Sequence, residues 1–284
     1  MPSLEALQQA GHELSLVVTQ PDRHGHRRRL TPPPVKEAAA GLGLEVIQPE
    51  AIRDAAAVER ILEAAPELMV VVAYGQIIPR RLLDLPPRGV VNVHASLLPR
   101  WRGAAPVQHA LLAGDEVTGV TIMRMDEQLD HGPVLARREV AVGRDEDAAQ
   151  LTQRLALVGA ELLVDTLENL DGIEPVEQDH AAATPAPRLK KEDGELDWSL
   201  PAAEIVRRLR AYTPWPGVTL PWRGNRVKVL RAHAEPGPGT PGEVVGQREG
   251  RLEVATGDGV LVLTEVQLPT RRPMPGRALL ARDA

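Results

Sequence analysis

The sequence predicts an α/β chain in two parts, a doubly wound domain followed by a small β-barrel. Three observations carry this. Short apolar runs alternate with segments of helical periodicity through residues 14–170, the pattern of strand–helix units around a parallel sheet. The run 68–73, Leu-Met-Val-Val-Val-Ala, is continuously apolar, as a strand covered on both faces is. From residue 227 onward helical periodicity gives way to short strand-like segments between Gly- and Pro-rich turns, the spacing of a small barrel.

The elements follow in order. Residues 2–10 read as a short helix stopped by Gly11, and 14–19 as a buried strand. Residues 20–30 form a loop in which Arg23, Arg27, Arg28 and Arg29 crowd with His24 and His26. Its charge density keeps it exposed, and arginine forks match phosphate geometry. It reads either as a solvated loop or as a phosphate-contacting one. Helix 34–40, strand 45–47, helix 54–64, strand 68–73, helix 78–83 and strand 89–94 complete the alternation. Helix 107–113 ends at Gly114, and strands 120–125 and 134–142 flank a polar loop. Asp145 is a candidate cap for a long helix to about residue 170, with Leu151, Leu155, Val158, Leu162 and Leu163 at helical spacing. The pattern then lapses, and 181–187 read as an extended linker. A helix over 202–212 precedes strands at 227–230, 242–245, 252–255 and 260–263. No strand is followed by Gly-x-Gly-x-x-Gly or by a lysine-bearing phosphate loop, so the sheet need not bind a dinucleotide.

Composition narrows the classes. Apolar residues make up 43%, yet there are 4 Trp, 2 Tyr and no Phe, so the core must be aliphatic. The absence of Cys excludes disulfides and thiolate metal sites and fits a cytoplasmic protein. No apolar run approaches the roughly 18–20 residues of a membrane span. The net charge of −6 is unevenly shared. Residues 201–284 hold 13 Lys+Arg against 8 Asp+Glu, whereas 1–200 hold 20 against 31. A basic C-terminal part suits a polyanionic partner.

The stretch most charged with chemistry is 92–106, Asn-Val-His-Ala-Ser-Leu-Leu-Pro-Arg-Trp-Arg-Gly-Ala-Ala-Pro. Asn92 and His94, two apart on a strand, project to the same side. They sit where a strand ends and a Pro-broken loop begins, the place where open parallel sheets bind ligands. Alternatively, Asn92 caps a turn and His94 is a satisfied core histidine. A metal reading would draw on His94, His109, Asp126, Asp130 and His131, but no His-x-x-x-His pair shares a helix, and no metal is expected.

This stretch resembles the signature of the folate-dependent formyltransferases, an Asn-x-His triplet running into Ser-Leu-Leu-Pro. The continuation Arg-Trp-Arg-Gly-Ala-Ala-Pro resembles most the members that act on methionyl-tRNA. Residues 119–126, Gly-Val-Thr-Ile-Met-Arg-Met-Asp, and 129–133, Leu-Asp-His-Gly-Pro, match as well, as do 210–217. His131 departs from the usual Thr. The resemblance implies a Rossmann-like formyltransferase domain over 1–173, a linker over 174–195 and an OB-like tRNA-binding barrel over 196–284. It implies transfer of the formyl group of 10-formyltetrahydrofolate to the α-amino group of methionyl initiator tRNA, by a monomer. Asn92, His94 and Asp130 become the catalytic trio. Asn92 and His94 would face the oxyanion, and Asp130 would orient His94 and assist proton transfer. Ser96, Leu97, Leu98 and Pro99 become the folate loop, opposite Val71, Val72 and Ala73. Arg23, Arg27, Arg28 and Arg29 become tRNA contacts. His131 is expected to point outward without a chemical role. Formyltransferases acting on amino-sugar nucleotides or glycinamide ribonucleotide share the triplet but resemble the chain less elsewhere. A non-catalytic folate- or RNA-binding homologue is the alternative of another class, disfavoured by the intact trio. Family members also carry an apolar strand and a Gly-Thr-Pro turn before a segment like Pro2-Ser3-Leu4. The resemblance thus implies that Met1 is internal to a longer protein, or that the sheet has a slot in place of a central strand.

Overall fold

A computed structural model describes residues 1–24 and 30–282. The chain divides into two compact units. The first comprises residues 1–106, 117–141 and 152–187; the second comprises 107–116, 142–151 and 188–284. Arg27, Arg28 and Arg29 lie outside the described residues.

The first unit opens with α1 (Pro2–Gln9), β1 (Val17–Val18), β2 (Arg23–His24), β3 (Leu30–Thr31), α2 (Pro34–Gly41), β4 (Val46–Ile47), α3 (Ala55–Ala64), β5 (Met69–Val71), α4 (Arg80–Leu83) and β6 (Val90–His94). After β6 come β7 (Arg102–Gly103), α5 (Pro106–Ala113), which lies almost wholly in the second unit, β8 (Val117–Arg124), β9 (Val134–Ala141), α6 (Ala148–Glu168) and β10 (Pro185–Ala186). β5 and β6 are parallel, as expected. β8 runs antiparallel to both β6 and β9, giving the order β5-β6-β8-β9. β1 pairs with β4 in a separate two-stranded parallel sheet. Among the described residues no strand joins β1 to β5, so these strands lie in two separate sheets.

Both sheets rest on one aliphatic cluster. Ile52, Val58, Ile61, Ile78 and Leu82 are buried, and Val18 and Ile47 from one sheet and Met69 and Val71 from the other pack against them. Each fully buried Ile or Leu contributes about 1.5–3 kcal/mol. The C-terminal ends of β1 and β5 are tied by a side chain, the Gln20 amide donating to the Tyr74 carbonyl at 2.9 Å. α6 crosses β6 and β8 at Gly159, where a Cβ would come within 3.0 Å of Val93. The α6 cap is Asp147, not Asp145. Asp147 Oδ1 accepts from Gln150 N at 2.9 Å, and Gln150 Oε1 accepts from Asp147 N at 3.0 Å, a reciprocal capping pair.

The second unit contains α7 (Ala202–Ala211), β11 (Val218–Trp222), β12 (Asn225–Glu235), β13 (Val244–Arg248), β14 (Arg251–Ala255), β15 (Val260–Gln267) and β16 (Met274–Pro275). The strands form one antiparallel sheet in the order β11-β12-β15-β14-β13, with β16 beside β15. α7 buries Ala202, Ile205, Leu209 and Ala211, consistent with the expected amphipathic helix, whereas the segments expected as short barrel strands at 227–230 and 260–263 extend to 11 and 8 residues within this one antiparallel sheet.

Candidate active site

β6 positions the first two polar groups. Its register with β8 sets Asn92 opposite Met123 and His94 opposite Thr121, so both lie within the sheet and both are buried. β8 leads into the 126–133 loop, which returns at Gly132. A Cβ there would be driven into the Arg124 carbonyl, so only glycine fits the return. Asp130, two residues earlier, takes φ +48°, a left-handed conformation uncommon for a non-glycine residue. That turn aims its carboxylate at β6.

Three expected residues therefore meet. Asn92 Nδ2 donates to Asp130 Oδ1 at 3.3 Å. His94 Nδ1 lies 3.6 Å from the same oxygen. Asp130 Oδ2 accepts from the Gly103 backbone N–H at 2.8 Å. His94 Nε2 lies 2.9 Å from the Trp101 carbonyl; a carbonyl can only accept, so the Nε2–H is the donor. Both imidazole nitrogens face acceptors. Trp101 itself takes φ +64°, and the Arg100 guanidinium stacks 4.4 Å over its ring. The cluster thus combines two side chains carrying N–H groups, an anchored carboxylate and a backbone carbonyl. It can donate hydrogen bonds to a developing oxyanion and accept a proton.

The 96–99 loop divides between packing and surface. The Ser96 hydroxyl is fully buried and donates to the Arg100 carbonyl at 2.6 Å. The Leu98 side chain is also buried, and Thr121 Oγ1 binds Leu98 N at 3.1 Å and the Ser96 carbonyl at 2.7 Å. Leu97 packs over Gly119 and, like Pro99, is half-buried. The open apolar surface lies on the other side: Val72 and Ala73 are exposed, just past the residue of β5 that pairs with Asn92.

His131 does not reach the Asp130 carboxylate. Its Nδ1 pairs with Asp126 Oδ2 at 2.7 Å, and its ring stacks on His180 with centroids 3.9 Å apart. Arg23 donates to Gln20 Oε1 at 3.0 Å and is exposed. Among the described residues no group of three or more His, Asp or Glu side chains could hold a metal.

Sequence reasoning missed the Trp101 carbonyl, the Gly103 N–H and Gln178. Backbone groups carry no residue-type signal. Gln178 sits in the stretch expected as a linker, yet it is 4% exposed and donates to the carbonyls of Asp130 and Gly132 at 3.0 and 2.7 Å.

Comparison with known proteins agrees with this architecture. Residues 2–167 match the family model "Formyl transferase", and 188–284 match "Formyl transferase, C-terminal domain". The chain is 50% identical over 285 residues to the methionyl-tRNA formyltransferase of Chloroflexus aurantiacus, covering 98% of this chain and 92% of the relative. It is 47% identical to that of Pelobacter propionicus, covering 99% and 89%. Among solved structures, HypX from Aquifex aeolicus in complex with tetrahydrofolic acid has a TM-score of 0.66 at 20% identity, covering 95% of this chain and 47% of that one. The Helicobacter canadensis N-formyltransferase with folinic acid and dTDP-3-aminofucose also has a TM-score of 0.66, at 15% identity, covering 92% and 93%. These two share the fold. On the two family matches and the near full-length identity, the chain belongs to the formyl transferase family.

Proposed function

We propose that the protein transfers the formyl group of 10-formyltetrahydrofolate to the α-amino group of methionyl initiator tRNA. The observation that carries this is the convergence of Asn92, His94 and Asp130 on one carboxylate oxygen. The relatives' name, at about half identity over nearly the whole chain, supplies the substrate.

The chemistry runs as an addition and an elimination. The neutral α-amine attacks the formyl carbon, a C–N bond forms, and the carbonyl oxygen becomes an oxyanion. Asn92 Nδ2 and His94 supply N–H groups beside it. Asp130 takes the proton released by the attacking nitrogen, directly or through water. The C–N10 bond then breaks, and the folate nitrogen leaves with a proton. No covalent enzyme intermediate is needed. The exposed Val72 and Ala73 with half-buried Leu97 form an apolar border fitting a flat pteridine, while Ser96 and Leu98 hold the loop's shape from within. Asn92, His94, Asp130 and Gly103 come from one chain, so a monomer is sufficient.

In this reading catalysis falls to residues 1–173 and RNA binding to 196–284, with 174–187 of the expected 174–195 linker packed on the site as part of the first unit. Arg23, Arg27, Arg28 and Arg29 would contact tRNA phosphates. Translation initiation places the work in the cytoplasm, and no helix among the described residues is long and apolar enough to cross a membrane. The test is formylation by the purified protein, comparing charged initiator tRNA with amino-sugar nucleotides and glycinamide ribonucleotide as acceptors. Turnover on the tRNA alone is expected. Preference for an amino-sugar nucleotide or glycinamide ribonucleotide, or no turnover at all, would overturn the reading.

A further inference from the structure

Residues 174–187 grip both loops of the site. Val176 exchanges two backbone hydrogen bonds with Val134, at 2.8 and 2.9 Å. Thr184 accepts from Arg102 N through its carbonyl and from Trp101 N through its hydroxyl, both at 2.9 Å. Pro185 and Ala186 pair in parallel with β7. Between these anchors, Gln178 is placed where its whole hydrogen-bonding capacity is used. Its Nε2 donates both hydrogens, to the Asp130 and Gly132 carbonyls. Its Oε1 accepts from Arg102 Nε at 3.1 Å and from the same guanidinium's terminal nitrogen at 2.7 Å. Arg102 is steadied in turn by the His180 ring nitrogen Nδ1 at 2.9 Å.

Asp130 is therefore held at two points. Asn92 and the Gly103 N–H fix its carboxylate, and Gln178 fixes its main chain in the left-handed conformation that aims that carboxylate. We propose that Gln178 is a positioning residue for formyl transfer, acting through Asp130. It rests on the reading that Asp130 serves the reacting centre. The side chain requirement is narrow. Two carbonyls need two N–H donors, and Arg102 needs an acceptor on the same group. Only an amide offers both. A glutamate of the same size keeps the acceptor and loses both donors, a methionine loses all three functions, and an asparagine withdraws the amide by one methylene.

The experiment uses Gln178→Glu, Gln178→Met and Gln178→Asn in the full chain, alone and combined with Asp130→Ala. Steady-state formylation of charged initiator tRNA and thermal unfolding are both measured. The single variants are expected to lose kcat by roughly 10- to 100-fold, with both KM values within about twofold, since the lost interaction matters in the transition state. Asparagine should lose least. In the Asp130→Ala background the same substitutions should cost almost nothing further, because a residue acting through Asp130 has nothing left to position. Unchanged kcat in the single variants overturns the proposal. So does a multiplicative loss in the double variants, or a kcat loss that only tracks a lost fold. An Asp130→Ala protein with full kcat would instead overturn the assignment of the site.

Discussion

At the scale of single residues, function rests on where N–H groups and carboxylate oxygens point. In the proposed reaction His94→Ala and Asn92→Ala each remove an N–H group beside the oxyanion. Each is expected to lower kcat by roughly 10²–10³ or more while leaving folate affinity nearly unchanged. Single-turnover rates and equilibrium folate binding check this, and a near-normal kcat would remove that residue from the oxyanion role. His131 is the contrasting case. Adjacent to Asp130 in sequence, it is turned to Asp126 and stacked on His180. His131→Thr is therefore expected to leave the pH–rate profile in place. A displaced acidic limb would show coupling to Asp130. Strand alternation put Asn92 and His94 on one face, but it left the core-histidine reading open, and the resemblance to the formyltransferase signature decided between them. The Trp101 carbonyl could not be read from the sequence, because any residue type supplies a carbonyl and only the left-handed turn at 101 aims this one.

At the scale of elements, the sequence revealed periodic segments well and pairing direction poorly. β6 and β8 were both foreseen as strands, but nothing in an apolar run says whether its neighbour runs with it or against it. α6 could have been placed better, since Asp147 and Gln150 stand at the three-residue interval of a reciprocal cap. Asp147→Ala should cost about 1 kcal/mol of stability, read from denaturant unfolding. The base of the basic arm holds a second test. Asp22 accepts from Gln48 at 2.7 Å and from Lys36 at 2.9 Å. The Gln48 hydrogen bond, then the Lys36 bond, lower its carboxyl below the usual value of 3.8. A lowered folded-state value means that the stabilisation is present above the unfolded value and lost as pH falls through the folded one. Asp22→Asn should thus be less stable than the parent at neutral pH and match it in strong acid. Thermal unfolding at both pH values checks the sign, and an equal deficit at low pH would refute the ionic contribution.

At the scale of the whole molecule, the arginine loop of an otherwise acidic N-terminal part makes a prediction about salt. Replacing Arg27, Arg28 and Arg29 by Ala should weaken tRNA binding and flatten its salt dependence by a slope of about one per lost phosphate contact. Turnover of a minimal formyl acceptor should be spared, and an unaltered slope would leave the loop as solvated surface. The separation of the two sheets has a different consequence. The β1–β4 ladder is two residue pairs long, whereas β8 is flanked on both sides over several residues. Amide protons of Val17, Thr19 and their neighbours should therefore exchange with solvent through small local openings. Those of Asn92, Ile122 and Met123 should await much larger ones. The β1–β4 layer can then breathe on its own timescale while Asn92, His94 and Asp130 stay assembled, and deuterium uptake along the chain would display the two rates side by side.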